Sequence, residues 1–405
     1  MAPIVTSAHV ARISPPVWRI LFHSVLFGLA LNIADLLFNF YLVSLGYGPD
    51  TAGLLSTVSR GAGMLFGVPL GLLIDRFGAQ RAIIAALATY CLGWIFMLQA
   101  TALWALIATQ FIIGASFLMA TMAVTPLLAS VTFDRERTNA FGLNASATLM
   151  IGLVGSVLGG MLPTLAAGLL GVGPQETAAY RLALSVVIGL SLLAMLPLLR
   201  PLPLAEERHE GDLDVPVAPP LPLRRLLRFA LAGLFLGIGG GMILPFQNLF
   251  FRAQFGLSDA AVGVVLAVVS LGMGIGALLG PPVTKRIGLR RGAALLRIWA
   301  IAGMLMMLAP VLLFAVVGFF LRGLFISASF PMNDALVMRY TPINQRGMAA
   351  SLLNVLWAGG WALAAVISGF IQVQWGFTPI IILTVLAYLL SGVTILTLRI
   401  PDEDG

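Results

Sequence analysis

Twelve apolar stretches, each about long enough to cross a lipid bilayer once, dominate this chain of 405 residues. Hydrophobic residues make up 60% of the sequence and charged residues only 10%, too few to cover a water-soluble globule of this size. The stretches cover roughly residues 19–45, 51–74, 79–101, 103–127, 139–163, 177–199, 224–250, 259–283, 292–312, 315–339, 347–373 and 377–398. The sequence therefore predicts an all-α membrane protein with twelve transmembrane helices.

A charged loop occurs twice among these stretches, which indicates that they form two related sets. Gly78 lies in the first copy and Gly288 in the second, an offset of 288 − 78 = 210 residues. The same offset relates Gly46 to Gly256, so a long part of the two halves is in register. Two related halves within a membrane are typical of a carrier.

The predicted domain organisation follows from this repeat and from one polar interruption. Residues 1–199 are predicted to form an N-terminal six-helix bundle, 200–223 a cytoplasmic linker rich in proline and acid, and 224–405 a C-terminal six-helix bundle. Nineteen of the 23 lysines and arginines fall at or near one face, which predicts that this face and both termini are cytoplasmic. We therefore expect a multi-pass protein of the plasma membrane, the cytoplasmic membrane of a bacterium.

The first copy of the loop resembles the loop motif of the major facilitator superfamily, and the resemblance extends to the span count, the linker and the repeat. The residues that carry it are Gly71, Asp75, Arg76, Gly78 and Arg81. It implies two pseudo-symmetric bundles (the MFS fold) around a central cavity that opens to alternate sides. It also implies that Asp75 contacts a neighbouring helix while Arg76 and Arg81 brace the cytoplasmic gate; the alternative is a loop that only anchors topology by its charge.

The second copy of the loop differs from the first at its acidic position. Lys285 stands where the first copy has aspartate, and Arg286 and Gly288 follow it. We therefore expect the gating latch to be asymmetric.

The ionisable residues at membrane depth point to the transport pathway, because inserting a charge there is costly. Gly28, Asn32, Asp35 and Asn39 recur on one helical stripe of span one, which should face the cavity. Arg60 in span two lies about as far from the intervening turn as Asp35 does, so the two are expected to be neighbours. The pair could be a structural clasp, or a switch in which protonation of Asp35 frees Arg60.

Weaker candidates come from other spans. Span ten carries Arg322 and Asp334; Asp334 is a second candidate for proton coupling, or else a cap or an ion pair with a loop arginine such as Arg346. Polar amides either line the cavity or form interhelical hydrogen bonds. They are Gln110, Asn144, Gln247 and Asn248.

A seam of small residues in span five, at Gly152, Gly155 and Gly159, predicts close helix packing across the bundle interface. The segment also resembles the corresponding motif of drug/proton antiporters of the same superfamily. Two departures are that Ser156 stands where their proline would be and Gln110 replaces their basic residue.

The predicted function is that of a secondary active transporter working by alternating access, with proton-coupled export of small amphipathic organic compounds. The alternative is a proton-coupled importer or facilitator of a small polar or anionic metabolite, whose negative charge Arg60 and Arg322 would recognise. We expect a monomer in the lipid bilayer whose partners are a small-molecule substrate and protons, with no cofactor, metal or nucleic acid. The sequence has no ATP-binding or catalytic motif, so an enzyme is not expected.

Overall fold

The computed structural model of the chain describes residues 13–203, 223–341 and 346–397, and these form α-helices joined by short turns, without a strand. Two short 3₁₀ turns occur at Leu196–Leu198 and Leu244–Phe246. The α-helices are α1 Pro15–Ser44, α2 Pro49–Phe77, α3 Ala79–Gln99, α4 Leu103–Val131, α5 Asp134–Leu170, α6 Thr177–Met195, α7 Leu223–Ile243, α8 Gln247–Phe255, α9 Asp259–Ile287, α10 Leu289–Met306, α11 Leu312–Tyr340, α12 Arg346–Trp375 and α13 Thr378–Leu396. The predicted all-α fold is confirmed.

Ten of the described helices are long and apolar enough to cross a membrane. One of these ten consists of α7 and α8 together, with the short turn around Pro245 between them. Helix α2, which bends by 41° between Ala62 and Leu65, makes an eleventh. The remaining helix, α10, is 18 residues long and carries three arginines, which lowers its hydropathy. With α10 included, the helices agree with the predicted twelve.

The repeat seen in the sequence is also present in the backbone. Gly78 and Gly288 separate consecutive helices in the two halves and have positive φ angles of 85° and 81°. Gly46 and Gly256, at the preceding pair of turns, have φ angles of 88° and 63°. Glycine adopts this left-handed region without the steric cost of a Cβ atom, so it allows the sharp reversal between antiparallel helices.

The two ends of the bundle differ. We name the end that carries residues 203 and 223 the linker side and the opposite end the far side. On the far side α2 packs against α12 and α5 against α9, joining the two halves. At Gly53 a Cβ atom would overlap the carbonyl oxygen of Ala365, and at Gly263 it would overlap that of Ser156. The backbones are therefore in direct contact there.

The linker side is open by comparison. A Cβ atom built on Gly71 or Gly142 would meet no described atom within 4 Å. Val68 and Leu278, in the linker-side parts of α2 and α9, are 73% and 74% exposed. These positions have space around them, whereas the backbone contacts between the halves at Gly53 and Gly263 lie on the far side.

The predicted domain limits stay a prediction, because residues 204–222, most of the expected linker, lie outside the described residues, as do the first twelve and last eight residues. The end of α6 is tied to its own half: Arg19 Nε donates to the carbonyl of Pro197 at 2.8 Å, and Gln80 Nε2 to that of Leu198 at 2.6 Å.

Candidate functional site

Asp35 and Arg60 lie at about the middle of the bundle. Asp35 is nine residues from the far-side end of α1 and Arg60 eleven residues from that of α2, or about 14 Å and 16 Å along the helices. Half of a bilayer core is about 15 Å. Both side chains are exposed although helices surround them, so a solvent-accessible space reaches them.

The two charges act on each other without touching. The carboxylate of Asp35 and the guanidinium of Arg60 attract each other electrostatically. No ion pair within 4.0 Å joins these two described side chains. They are therefore neighbours that do not form a direct ion pair.

Arg60 instead contacts two tryptophans of the other half. Its Cζ atom lies 4.7 Å from the ring centroid of Trp361 and 5.9 Å from that of Trp357, both on α12. The two indole rings are 5.3 Å apart. Stacking uses the face of the guanidinium and leaves its in-plane N–H groups available to an acceptor. We refer to Asp35, Arg60, Trp357 and Trp361 as the central site.

A group of amides joins the two halves just beyond the central site. Asn39 Nδ2 donates to the carbonyl of Pro245 at 2.5 Å and to Asn248 Oδ1 at 2.9 Å. Asn248 Nδ2 donates in turn to the carbonyl of Leu36 at 2.7 Å. The carbonyl of Pro245 is available because α8 begins only at Gln247 and the Leu249 N–H donates to Asn248 Oδ1 instead.

The other predicted amides are not brought into this group. Asn32 Nδ2 donates to the carbonyl of Gly28 in its own helix at 2.8 Å. Gln110, Asn144 and Gln247 each have a buried side-chain oxygen that accepts no hydrogen bond from the described residues.

The two predicted residues of α11 have separate partners. Arg322 is 3% exposed, and its Nε donates to the hydroxyl of Tyr388 at 2.9 Å. Asp334 is exposed, and its carboxylate is attracted electrostatically by the guanidinium of Arg297 in α10. Arg297 is fully buried and donates to Ser391 Oγ at 2.8 Å and to Asn333 Oδ1 at 2.9 Å.

The predicted gating residues lie on the linker side. Asp75, Arg76, Gly78 and Arg81 are exposed, as are Lys285 and Arg286, whereas Gly71 and Gly288 are half-buried. A cavity of about 410 Å³ beside the first loop is lined by Asp75, Arg81 and Leu202 among others. It is separate from the central site. No three described His, Cys, Asp or Glu side chains come together as a metal site requires.

A comparison with protein families identifies the architecture. The family model described as Major Facilitator Superfamily matches residues 20–231 and 229–405. The chain belongs to this superfamily. It is therefore a multi-pass membrane transporter with the MFS fold.

Individual relatives within the superfamily are distant. The chain is 27% identical to the niacin transporter NiaP of Acinetobacter baylyi over 156 residues, 37% of this chain and 34% of that protein. It is 29% identical to the class C tetracycline resistance protein of Escherichia coli over 237 residues, 54% of each. The matches thus span about a third and about half of these relatives.

A solved superfamily structure resembles the whole fold. It is a bacterial homologue of the human lysosomal transporter Spinster in an inward-facing, unoccupied conformation, with a TM-score of 0.75 and 15% identity, covering 96% of this chain and 98% of that one. At this identity the likeness concerns the fold alone.

The small-residue seam of this superfamily member faces two neighbours. Cβ atoms on Gly155 and Gly159 would contact Asn32 and Ile33 of α1, in the same half. A Cβ atom on Gly152 would lie 3.6 Å from Asn32 and equally far from Ser270 of α9, in the other half. The nearest neighbours of Gly155 and Gly159 are therefore on α1, and Gly152 lies between α1 and the bundle interface.

Sequence reasoning missed three members of these clusters. Trp357 and Trp361 are four residues apart, so they share a helix face, a pattern that could have been noticed. Arg297 is one of the nineteen basic residues expected at or near the cytoplasmic face, but it lies eight residues inside α10 and is buried. Three arginines in one short apolar span were the available signal.

Proposed function

We propose that the chain is a proton-coupled secondary transporter that alternates between two accessible states, with Asp35 as its proton site. The observation that carries the proposal is an exposed carboxylate at mid-depth, near a cation but not paired with it within 4.0 Å. An unpaired carboxylate at that depth is costly and points to a functional role. The open linker side would face the cytoplasm, in keeping with the basic residues on that face.

Arg60 supplies a link between proton binding and conformation. It stands between a carboxylate of its own half and an indole ring of the other half. When Asp35 is ionised, it attracts Arg60 away from Trp361; when Asp35 is protonated, Arg60 stacks on Trp361 and favours the far-side-closed state. A proton bound from outside would thus promote closure on the far side and be released inward.

The first candidate for the transported class is small amphipathic organic compounds, exported in exchange for protons. The similarity to the class C tetracycline resistance protein supports it. Met150 is 70% exposed on the open part of α5, and flexible thioether side chains suit varied apolar ligands.

The second candidate is uptake of a small polar or anionic metabolite. It is favoured by Arg60, whose exposed guanidinium has no carboxylate within 4.0 Å among the described residues, and by the similarity to the niacin transporter. An anion held by Arg60 would take the place of Asp35 as counter-charge and favour its protonation, which couples the two species in the same direction.

Proton flux in sealed vesicles tests both candidates. With purified protein in vesicles that contain a pH dye, tetracycline and niacin serve as probes, added on either side of an imposed pH gradient. Export by exchange predicts proton movement opposite to the probe, and uptake predicts movement with it. Asp35→Asn should abolish either flux while Asp50→Asn, at the far-side start of α2, keeps it; a coupled flux that survives Asp35→Asn rejects Asp35 as the proton site.

A further inference from the structure

Four side chains at the far side form a charged contact between the two halves. Phe40 and Tyr180 belong to the first half, in α1 and α6, and Arg252 and Asp259 belong to the second, in α8 and α9. Phe40 and Tyr180 are fully buried, and Asp259 is 6% exposed. We name these four residues the far-side latch.

The Tyr180 hydroxyl connects the charges across the interface. It donates to Asp259 Oδ2 at 2.6 Å and accepts from Arg252 Nη2 at 2.9 Å. Arg252 Nη2 also lies 3.3 Å from Asp259 Oδ1, within the second half. Arg252 Cζ stacks 4.4 Å from the Phe40 ring centroid. Each contact of Phe40 or Tyr180 with the second half must break if the far side opens.

The acid and the base are held in place by the ends of their own helices. Asp259 lies in the first turn of α9 and Arg252 in the last turn of α8, where the helix dipoles favour a negative and a positive charge respectively. Gly256, with φ 63°, makes the turn between the two helices. The Arg252–Asp259 pair therefore persists within the second half when Tyr180 withdraws.

Helix packing alone does not require this cluster. With the repeat offset of 210 residues, the position matching Asp259 is Pro49 and the position matching Arg252 is Leu42. The matching interface, α2 on α12, closes as tightly: a Cβ on Gly369 would lie 2.5 Å from the carbonyl oxygen of Pro49. The α5–α9 interface thus adds Asp259 and Arg252, hydrogen-bonded through Tyr180, to a close backbone contact that α2 and α12 make without such a cluster.

We propose that Tyr180, with Arg252 and Asp259, is the latch that holds the far side closed and sets how often it opens. This inference rests on the proposed alternating access. Hydrogen bonds to charged groups are the stronger class, so losing the Tyr180 hydroxyl raises the far-side-open population about tenfold.

Labelling of a single cysteine tests the latch. In a Cys91→Ala background, Thr57→Cys places a thiol where the native hydroxyl donates to the carbonyl of Ala362 across the far-side interface. A membrane-impermeant maleimide added from the far side labels it only when the halves separate there. Tyr180→Phe should speed labelling about tenfold. Tyr41→Phe is the matched control, because Tyr41 is equally buried but donates to the carbonyl of Met97 within its own half.

The outcomes separate the latch from the proposed transport cycle. Equal labelling rates in Tyr180→Phe and Tyr41→Phe overturn the latch, and if Tyr180→Phe does not fold, Asp259→Asn is judged by the same criterion. The Tyr180→Phe, Asp259→Asn double variant should label no faster than the faster single variant, since both act through one contact. A parent protein that never labels from the far side instead refutes alternating access itself, whatever the variants do.

Discussion

Adding one methyl group at Gly160 should force the far side open. Gly160 lies on α5, where a Cβ atom would be 2.6 Å from the carbonyl oxygen of Asp259 and 3.1 Å from the Cα atoms of Ala260 and Gly263. All three atoms belong to α9, in the other half. Two rigid backbones meet there, so no flexible side chain can move aside.

The size of the effect follows from this overlap. An ordinary contact needs at least 3.4 Å, so α9 has to move by about 0.8 Å, and overpacking of this kind costs about 1–3 kcal/mol. The cost applies only while the far side is closed, because the helices separate when it opens. We therefore expect Gly160→Ala to raise the far-side-open population about 5- to 150-fold.

The assay is far-side labelling of the Thr57→Cys reporter, with transport measured in parallel. Gly142→Ala, on the same helix, is the matched control, since a Cβ atom at Gly142 meets no described atom within 4 Å and alanine favours the helix by about 0.5–1 kcal/mol. If Gly160→Ala labels no faster than Gly142→Ala, the α5–α9 contact does not close the far side and the reasoning is wrong.

Three further outcomes are expected. Asp75→Asn should slow far-side labelling, because the superfamily loop is expected to hold the far-side-open state; an unchanged rate contradicts the role assigned to Asp75. Asp35→Asn and Arg60→Gln together should lower the free energy of unfolding by about 0.5–3 kcal/mol less than the sum of the two single changes. Strict additivity would assign the two residues separate roles. Arg297→Met should lower the free energy of unfolding by about 1–3 kcal/mol because two side-chain acceptors lose a charged donor. Arg291→Met, at an exposed position, should change it by less than about 0.5 kcal/mol, and equal losses in chemical denaturation refute the buried role of Arg297.

The parts of the fold that the sequence could predict are those that follow local rules. Apolar length gave the helices, and the offset of Gly78 to Gly288 located matching turns because only a local backbone conformation was involved. Asp35 and Arg60 lie about nine and eleven residues from the helix ends at one tight turn, so helix geometry alone makes them neighbours. Twelve residues separate Arg322 from Asp334, about 120° around a helix, and they do have different partners.

The contacts between the halves could not be obtained in this way. Trp361 stacks on Arg60 from 301 residues further along the chain, and its position depends on how α2 and α12 meet at Gly53 and Ala365. No periodicity in either helix encodes that meeting. Tyr180 likewise meets Asp259 only because α6 and α9 are brought to one end of the bundle. Pairings of this kind depend on how the two bundles are arranged, and this arrangement differs between the far-side-closed and far-side-open states.

The charges assigned a function lie where the two halves differ rather than where they agree. The repeat supplies the frame, since matching glycines turn the chain and matching interfaces close the far side. With the offset of 210 residues, the pairs are Asp35 with Pro245, Arg60 with Ser270, Asp75 with Lys285, and Asp259 with Pro49. In a carrier whose halves had matching carboxylates, protonation would affect both halves alike and would not favour one conformational state over the other. Because each carboxylate has no acidic counterpart, its protonation changes the balance between the halves, which is the condition for coupling a proton to a change of state.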